Sequence, residues 1–177
     1  LKIIPLAKPY IDEQDIQGII EVLKSPYLSS GPKVLEFERN FSEYIGTKHA
    51  IAVNSGTSGL HLCIRALNIK ENDEVITSPF SFIASSNCIL YEKGIPVFVD
   101  IDEKTKNIDP SKIEQVITSK TKAILPVHIF GEPCYMDEIM EIANSYNLPV
   151  IEDACESLGT IYKGKRVGSI GLASVFG

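Results

Sequence analysis

Three short stretches of this chain hold residue types that can do chemistry at the spacing chemistry needs. The first is Asn54-Ser55-Gly56-Thr57-Ser58-Gly59, directly ahead of Leu60, Cys63, Ile64 and Leu67, whose spacing predicts a helix. A helix start offers N–H groups with no helical partner and the positive end of the dipole. Gly56 lets the backbone come close to a ligand, and Thr57 and Ser58 add hydroxyls, so the stretch can cradle a phosphate. The same residues also serve as a plain N-cap through Ser55. The second stretch is Val150-Ile151-Glu152-Asp153-Ala154-Cys155-Glu156-Ser157, two carboxylates after an apolar run and a third at position 156. A carboxylate at the end of a buried strand costs several kcal/mol unless it is paired. A cationic ring nitrogen is one such partner, worth about 4 kcal/mol at ~4 Å and an effective dielectric near 20. The alternative is that Glu152 or Asp153 caps amides of the following loop. The third stretch is Pro79-Phe80-Ser81-Phe82-Ile83-Ala84-Ser85, where Phe80 or Phe82 can face a planar ligand or fill the core. A phosphate, a flat ring and a ring nitrogen in need of an acid are together the three handles of pyridoxal 5′-phosphate (PLP).

Those stretches must be brought together by the rest of the chain. Asp12, with Asp15 three residues on, predicts a capped helix carrying Ile16, Ile19, Ile20 and Leu23 on one face and ending at Ser25-Pro26. Pro32 opens a second helix with Val34, Phe37, Phe41 and Tyr44 on its apolar face, and Gly46 closes it. Beyond it, short apolar runs alternate with helical patterns. Strands are expected at 50–53, 75–77, 97–99, 123–127, 150–151 and 173–176, and helices at 60–67, 82–90, 110–117 and 136–146. Short runs with little polar alternation read as strands buried on both faces, which gives a mainly parallel sheet covered by helices on both sides. Ligands then collect at the carboxyl ends of the strands, where all three stretches lie.

Composition narrows the function classes. Hydrophobic residues make up 44% of the 177 positions and charged residues 23%, in the range of ordinary globular domains. The formal net charge is −6 and no basic face emerges, which argues against a nucleic-acid partner. Lys163, Lys165 and Arg166 read as a polar turn. No apolar run is long enough to span a bilayer, and Leu1-Lys2-Ile3-Ile4-Pro5 has no signal-peptide pattern, so a cytoplasmic protein is expected. Cys63, Cys88, Cys134 and Cys155 are widely spaced and read as buried thiols. His49, His61 and His128 show no metal-ligand spacing, so no metal site is expected. Walker A, G-x-G-x-x-G and G-x-S-x-G patterns are absent from the sequence.

Taken in order, these blocks resemble the N-terminal half of the DegT/DnrJ/EryC1/StrS family of sugar aminotransferases. The resemblance rests on Ile4-Pro5-Leu6 with Lys8-Pro9, on Leu28-Ser29-Ser30-Gly31-Pro32, on Glu36-Phe37-Glu38 and on the block from Asn54 to Leu62. It continues through Pro126-Val127-His128-Ile129-Phe130-Gly131 with Pro133 and Met136-Asp137, and ends with the block from Ile151 to Gly159. It implies a three-layer α/β/α fold with a mainly parallel sheet, the large domain of the PLP-dependent transferases (aspartate aminotransferase type, fold type I), truncated. Residues 1–46 would form a helical N-terminal segment and 47–177 the α/β sheet core. The resemblance implies that Gly56, Thr57 and Ser58 hold the cofactor phosphate, Phe82 stacks on the pyridine ring, Asp153 pairs with its nitrogen and Glu156 lies beside its hydroxyl. Glu at position 156 is similar to branches that include perosamine synthases.

The implied reaction moves an amino group from glutamate to a nucleotide-linked keto sugar in amino-sugar and polysaccharide biosynthesis, in a homodimer. The family's Schiff-base lysine is expected just beyond Gly177, so no catalytic residue is assigned in this chain and the 177-residue chain alone is expected to be inactive. A dehydratase of the same family, with histidine in place of that lysine, and a non-catalytic or regulatory relative stay open as alternatives.

Overall fold

A computed structural model describes residues 4, 5 and 7–177; Leu1, Lys2, Ile3 and Leu6, part of the expected family opening, lie outside the described residues. Helix α1 (Glu13–Lys24) starts as its sequence demands: Asp12 Oδ1 accepts the N–H groups of Gln14 and Asp15, and Asp15 Oδ2 accepts the N–H of Asp12 at 2.9 Å. Helix α2 (Pro32–Ile45) begins on its proline and ends at Gly46 in the left-handed region, φ 87°. Helix α3 (Gly56–Ala66) is capped by Ser55, whose Oγ takes the N–H of Ser58 at 3.1 Å.

The remaining elements alternate. They are β1 (Glu74–Thr77), α4 (Ala84–Tyr91), β2 (Ile95–Phe98), β3 (Thr121–Leu125), α5 (Met136–Ser145), β4 (Ile151–Asp153), β5 (Ile161–Tyr162), β6 (Lys165–Arg166) and β7 (Ala173–Val175). Strand β1 pairs in parallel with both β2 and β3, and β4 pairs in parallel with β7. Parallel bridges between Ile124 and Val150 and between Val127 and Asp153 join the two sets, so the strands run in the order β2-β1-β3-β4-β7.

Side chains alternate across this sheet and build two cores. Val75, Ala123, Leu125 and Ile151 meet Leu60, Ile64, Cys88 and Ile89 from α3 and α4. Ile76, Ile124 and Val150 meet Met136, Ile139 and Ala143 of α5 on the opposite face. Strands β1 and β3 are therefore apolar at consecutive positions, because both of their faces are covered. The result is the three-layer α/β/α arrangement.

Four expectations change. Residues 50–53 form no strand: Ile51 is 79% exposed, no strand pairs with them among the described residues, and the N–H of Ala52 is taken instead by Glu38 Oε1 at 2.8 Å. The segment 110–117 is two 3₁₀ turns, Pro110–Lys112 and Glu114–Val116, because Ile117 turns extended (φ −71°, ψ 129°) before α-helical bonding can build up. The turn at 163–164 is the tip of a hairpin, β5 against β6, with Lys163 and Gly164 both at positive φ (46° and 85°) as a type I′ turn requires. Strand β2 sits at the edge and leaves Ile95 and Phe98 exposed, so it is not covered on both faces. Of α1 and α2, only Ile45 is fully buried.

Candidate functional site

The carboxyl ends of β3 and β4 and the start of α3 enclose a cleft of about 340 Å³, walled by Gly56, Thr57, Ser81, Phe82, Asp153 and Glu156 among others. Five of the six residues expected to contact a cofactor therefore share one cavity although they span a hundred positions of sequence. Ser58 is not in its lining: its N–H and its hydroxyl are both engaged with Ser55 Oγ, at 3.1 and 3.0 Å. The capping reading thus holds for Ser55 and Ser58, and it leaves the N–H groups of Gly56 and Thr57, in the first turn, out of reach of any helical carbonyl. Gly56 is demanded by packing as well. A Cβ there would lie 2.8 Å from Cys155 Sγ, so the glycine lets α3 abut the loop after β4.

Strand β4 presents two neighbouring acids to opposite sides, as strand geometry requires. Glu152 is fully buried and turned inward. It accepts four hydrogen bonds: from His128 Nε2 at 3.2 Å and from the N–H groups of Gly168, Ile170 and Gly171 at 2.8, 2.9 and 2.6 Å. Burial opposes its ionisation, but the His128 bond and the glycine amides outweigh that and hold the carboxyl below the usual glutamate range. His128 Nδ1 accepts the N–H of Cys134 at 3.0 Å, which puts the ring proton on Nε2, facing Glu152. Loop capping is thus the role of Glu152.

Asp153 is only 5% exposed, yet it lines the cleft. Its Oδ2 accepts from Ser85 Oγ at 2.7 Å and its Oδ1 meets the N–H of Cys155 at 3.3 Å. Glu156 is exposed at the cleft rim, where its Oε2 accepts the N–H of Phe130 at 2.7 Å; Phe130 holds a positive φ of 53°. Phe82 is 74% exposed and belongs to the cleft wall, so the core reading fails for it. Of the thiols, Cys88 and Cys134 are buried, whereas Cys63 and Cys155 are only half-buried. Burial, with the charge of Asp153 adding to it, pushes Cys155 up to about 12, so this thiol stays neutral beside the cleft.

Sequence reasoning missed His128 and Ser85. Their partners lie 24 and 68 residues away, and a serine in a first helical turn reads as nothing more than a cap. The donor set suits an anionic, heteroaromatic ligand: first-turn amides and the Thr57 hydroxyl, a buried carboxylate and an aromatic ring line the same cleft. These residues fit PLP.

The fold is that of the PLP-dependent aminotransferases. The chain belongs to the DegT/DnrJ/EryC1/StrS aminotransferase family, which it matches over residues 9–177. It is 45% identical over 174 residues to a GDP-perosamine synthase of Caulobacter vibrioides, covering 98% of this chain and 47% of that protein. Its fold is similar to that of Spr1654 from Streptococcus pneumoniae in its PLP form, with a TM-score of 0.89 and 33% identity over 95% of this chain and 47% of the other. It is also similar to a histidine-to-asparagine mutant of GDP-4-keto-6-deoxymannose-3-dehydratase (ColD) with bound GDP-perosamine, at a TM-score of 0.92 and 34% identity over 96% and 46% of the two chains. The chain thus spans a little under half the length of these relatives. No helix among the described residues is long and apolar enough to cross a membrane.

Proposed function

We propose that this chain is the N-terminal part of the PLP-binding large domain of a sugar aminotransferase. Residues 1–46 would be its helical lead-in and 47–177 its sheet core. The intact protein would take an amino group from glutamate and deliver it to a nucleotide-linked keto sugar for amino-sugar and polysaccharide biosynthesis, as a cytoplasmic homodimer. The observation that carries the reading is the meeting of the α3 N-terminus and the buried Asp153 in one cleft, in a chain whose relatives include GDP-perosamine synthases.

Bound there, PLP would supply an electron sink for the carbon that loses its proton. The residues of this chain prepare that chemistry. The amides of Gly56 and Thr57 and the Thr57 hydroxyl would bind the phosphate by dipole and hydrogen bonds. Asp153, enclosed at the cleft, would pair with the protonated ring nitrogen. Phe82 would exclude water from one ring face, and Glu156, steadied by the Phe130 amide, would orient the ring hydroxyl.

A dehydratase is the second reading, favoured by the similarity to ColD. The test is to supply the intact protein with PLP, glutamate and a nucleotide-linked 4-keto sugar. An amino sugar formed with one equivalent of 2-oxoglutarate supports the transferase. A deoxygenated sugar without net amine transfer supports the dehydratase, and no product with either chemistry would favour a non-catalytic relative.

A further inference from the structure

Asp153 does not stand alone against the cleft. Ser85, in the first turn of α4 and 1% exposed, sets its Oγ 2.7 Å from Asp153 Oδ2. Ser85 is absent from the cleft lining, but Ser81 belongs to it, and the two hydroxyl oxygens are 2.6 Å apart. A hydroxyl carries one proton, and an ionised carboxylate can only accept. The Ser85 proton therefore points at Asp153, ahead of its weaker contact with the Phe82 carbonyl at 3.3 Å. Ser81 must then be the donor to Ser85. The outcome is a directed chain, Ser81 to Ser85 to Asp153, running from the cleft wall to the acid. Phe82 sits inside the same turn, so the ring at the cleft wall and the two hydroxyls are placed by one piece of backbone.

We propose that Ser85 is a positioning residue for Asp153, with Ser81 as the outer member of the chain. A short hydrogen bond to a carboxylate is charge-assisted and stabilises its ionised form, and a second hydroxyl behind it strengthens the bond. Ser85 thereby fixes the direction of the Asp153 carboxylate and keeps its acceptor face toward the cleft. A heteroaromatic nitrogen bound beside it, and not the acid, then keeps the shared proton. This rests on the PLP reading above and adds to it the residues that set how well the acid works.

The experiment uses the intact protein loaded with PLP carrying ¹⁵N in its ring, so that the nitrogen's chemical shift reports its protonation independently of turnover. The wild type gives a pyridinium-like shift. Ser85→Ala moves the signal toward neutral pyridine and lowers kcat about tenfold with the KM for the sugar unchanged, the size expected for one lost charge-assisted bond. Ser85→Thr, which keeps the hydroxyl, restores both, and Ser81→Ala shifts the signal the same way by less. A Ser85→Ala signal identical to wild type overturns the inference and leaves the PLP reading standing, as does equal loss in the alanine and threonine variants. Failure of the wild type to bind PLP, or to protonate it, overturns the reading and the inference together.

Discussion

Glu152 and Asp153 are adjacent, of the same charge and both buried, yet they face different worlds. Glu152 looks into the protein, and every hydrogen bond it accepts comes from the chain itself: one imidazole and three amides of the loop leading into β7. Asp153 looks into the cleft with a hydroxyl on one oxygen and a long amide contact on the other. One acid is saturated and ties the sheet end to the loop that follows. The other is oriented and left with capacity to spare. Burial alone marks neither as functional; the count and source of the hydrogen bonds separate a structural carboxylate from one prepared for a ligand.

The largest effect in breaking this contrast is expected at the saturated acid. Glu152→Ala leaves His128 and three loop amides unpartnered and should lower stability by about 3–5 kcal/mol in urea unfolding, the usual cost of removing one member of a buried pair. Asp153→Asn, nearly isosteric, should leave the urea midpoint close to wild type and reduce turnover of the intact protein about a hundredfold to a thousandfold, as loss of an electrostatic partner does elsewhere. Equal destabilisation by the two substitutions would erase the distinction.

Gly56→Ala is next in size. Its Cβ would fall 2.8 Å from Cys155 Sγ, so the Cys155 side chain, the start of α3 or the β4 loop must shift. A loss of about 1–3 kcal/mol and weaker PLP binding are expected. Cys155→Ala on that background should recover most of both, which a double-mutant cycle would measure.

The smallest effect is on the acid branch of the stability curve. The Glu152 carboxyl is held below its ordinary value of 4.5, so its contribution is present above that pH and is lost as the pH falls through the depressed folded-state value. Glu152→Gln should therefore flatten the stability profile below about pH 4.5, read from thermal melts across an acid series. Asp153→Asn serves as the comparison in the same series.

Much of the frame was legible because it depends on neighbours in sequence. The Asp12 box, Pro32, Gly46 and Ser55 each act within four residues, and they set the limits of α1, α2 and the start of α3. Strand ends pointed to the three stretches that meet at the cleft, and the family resemblance singled out positions 56, 57, 82, 153 and 156 within them. The misread elements depend on distant partners. Residues 50–53 have strand composition but no strand beside them among the described residues, and composition cannot supply one. The β5–β6 hairpin is two residues per strand, too short to show alternation around Lys163-Gly164. The split between Glu152 and Asp153 was written in the sequence only as two acids; their partners, residues 168–171 and Ser85, are joined to them by the fold.

The central claim is that one cleft receives PLP with its phosphate on the amides of Gly56 and Thr57 and its ring nitrogen on Asp153. A crystal structure of the intact protein grown with PLP tests it most directly. The account predicts the phosphate within hydrogen-bonding distance of those amides and the ring nitrogen against the Asp153 carboxylate, with Glu152 still enclosed by the loop. A coenzyme bound elsewhere, or one whose ring nitrogen faces away from Asp153, would contradict it.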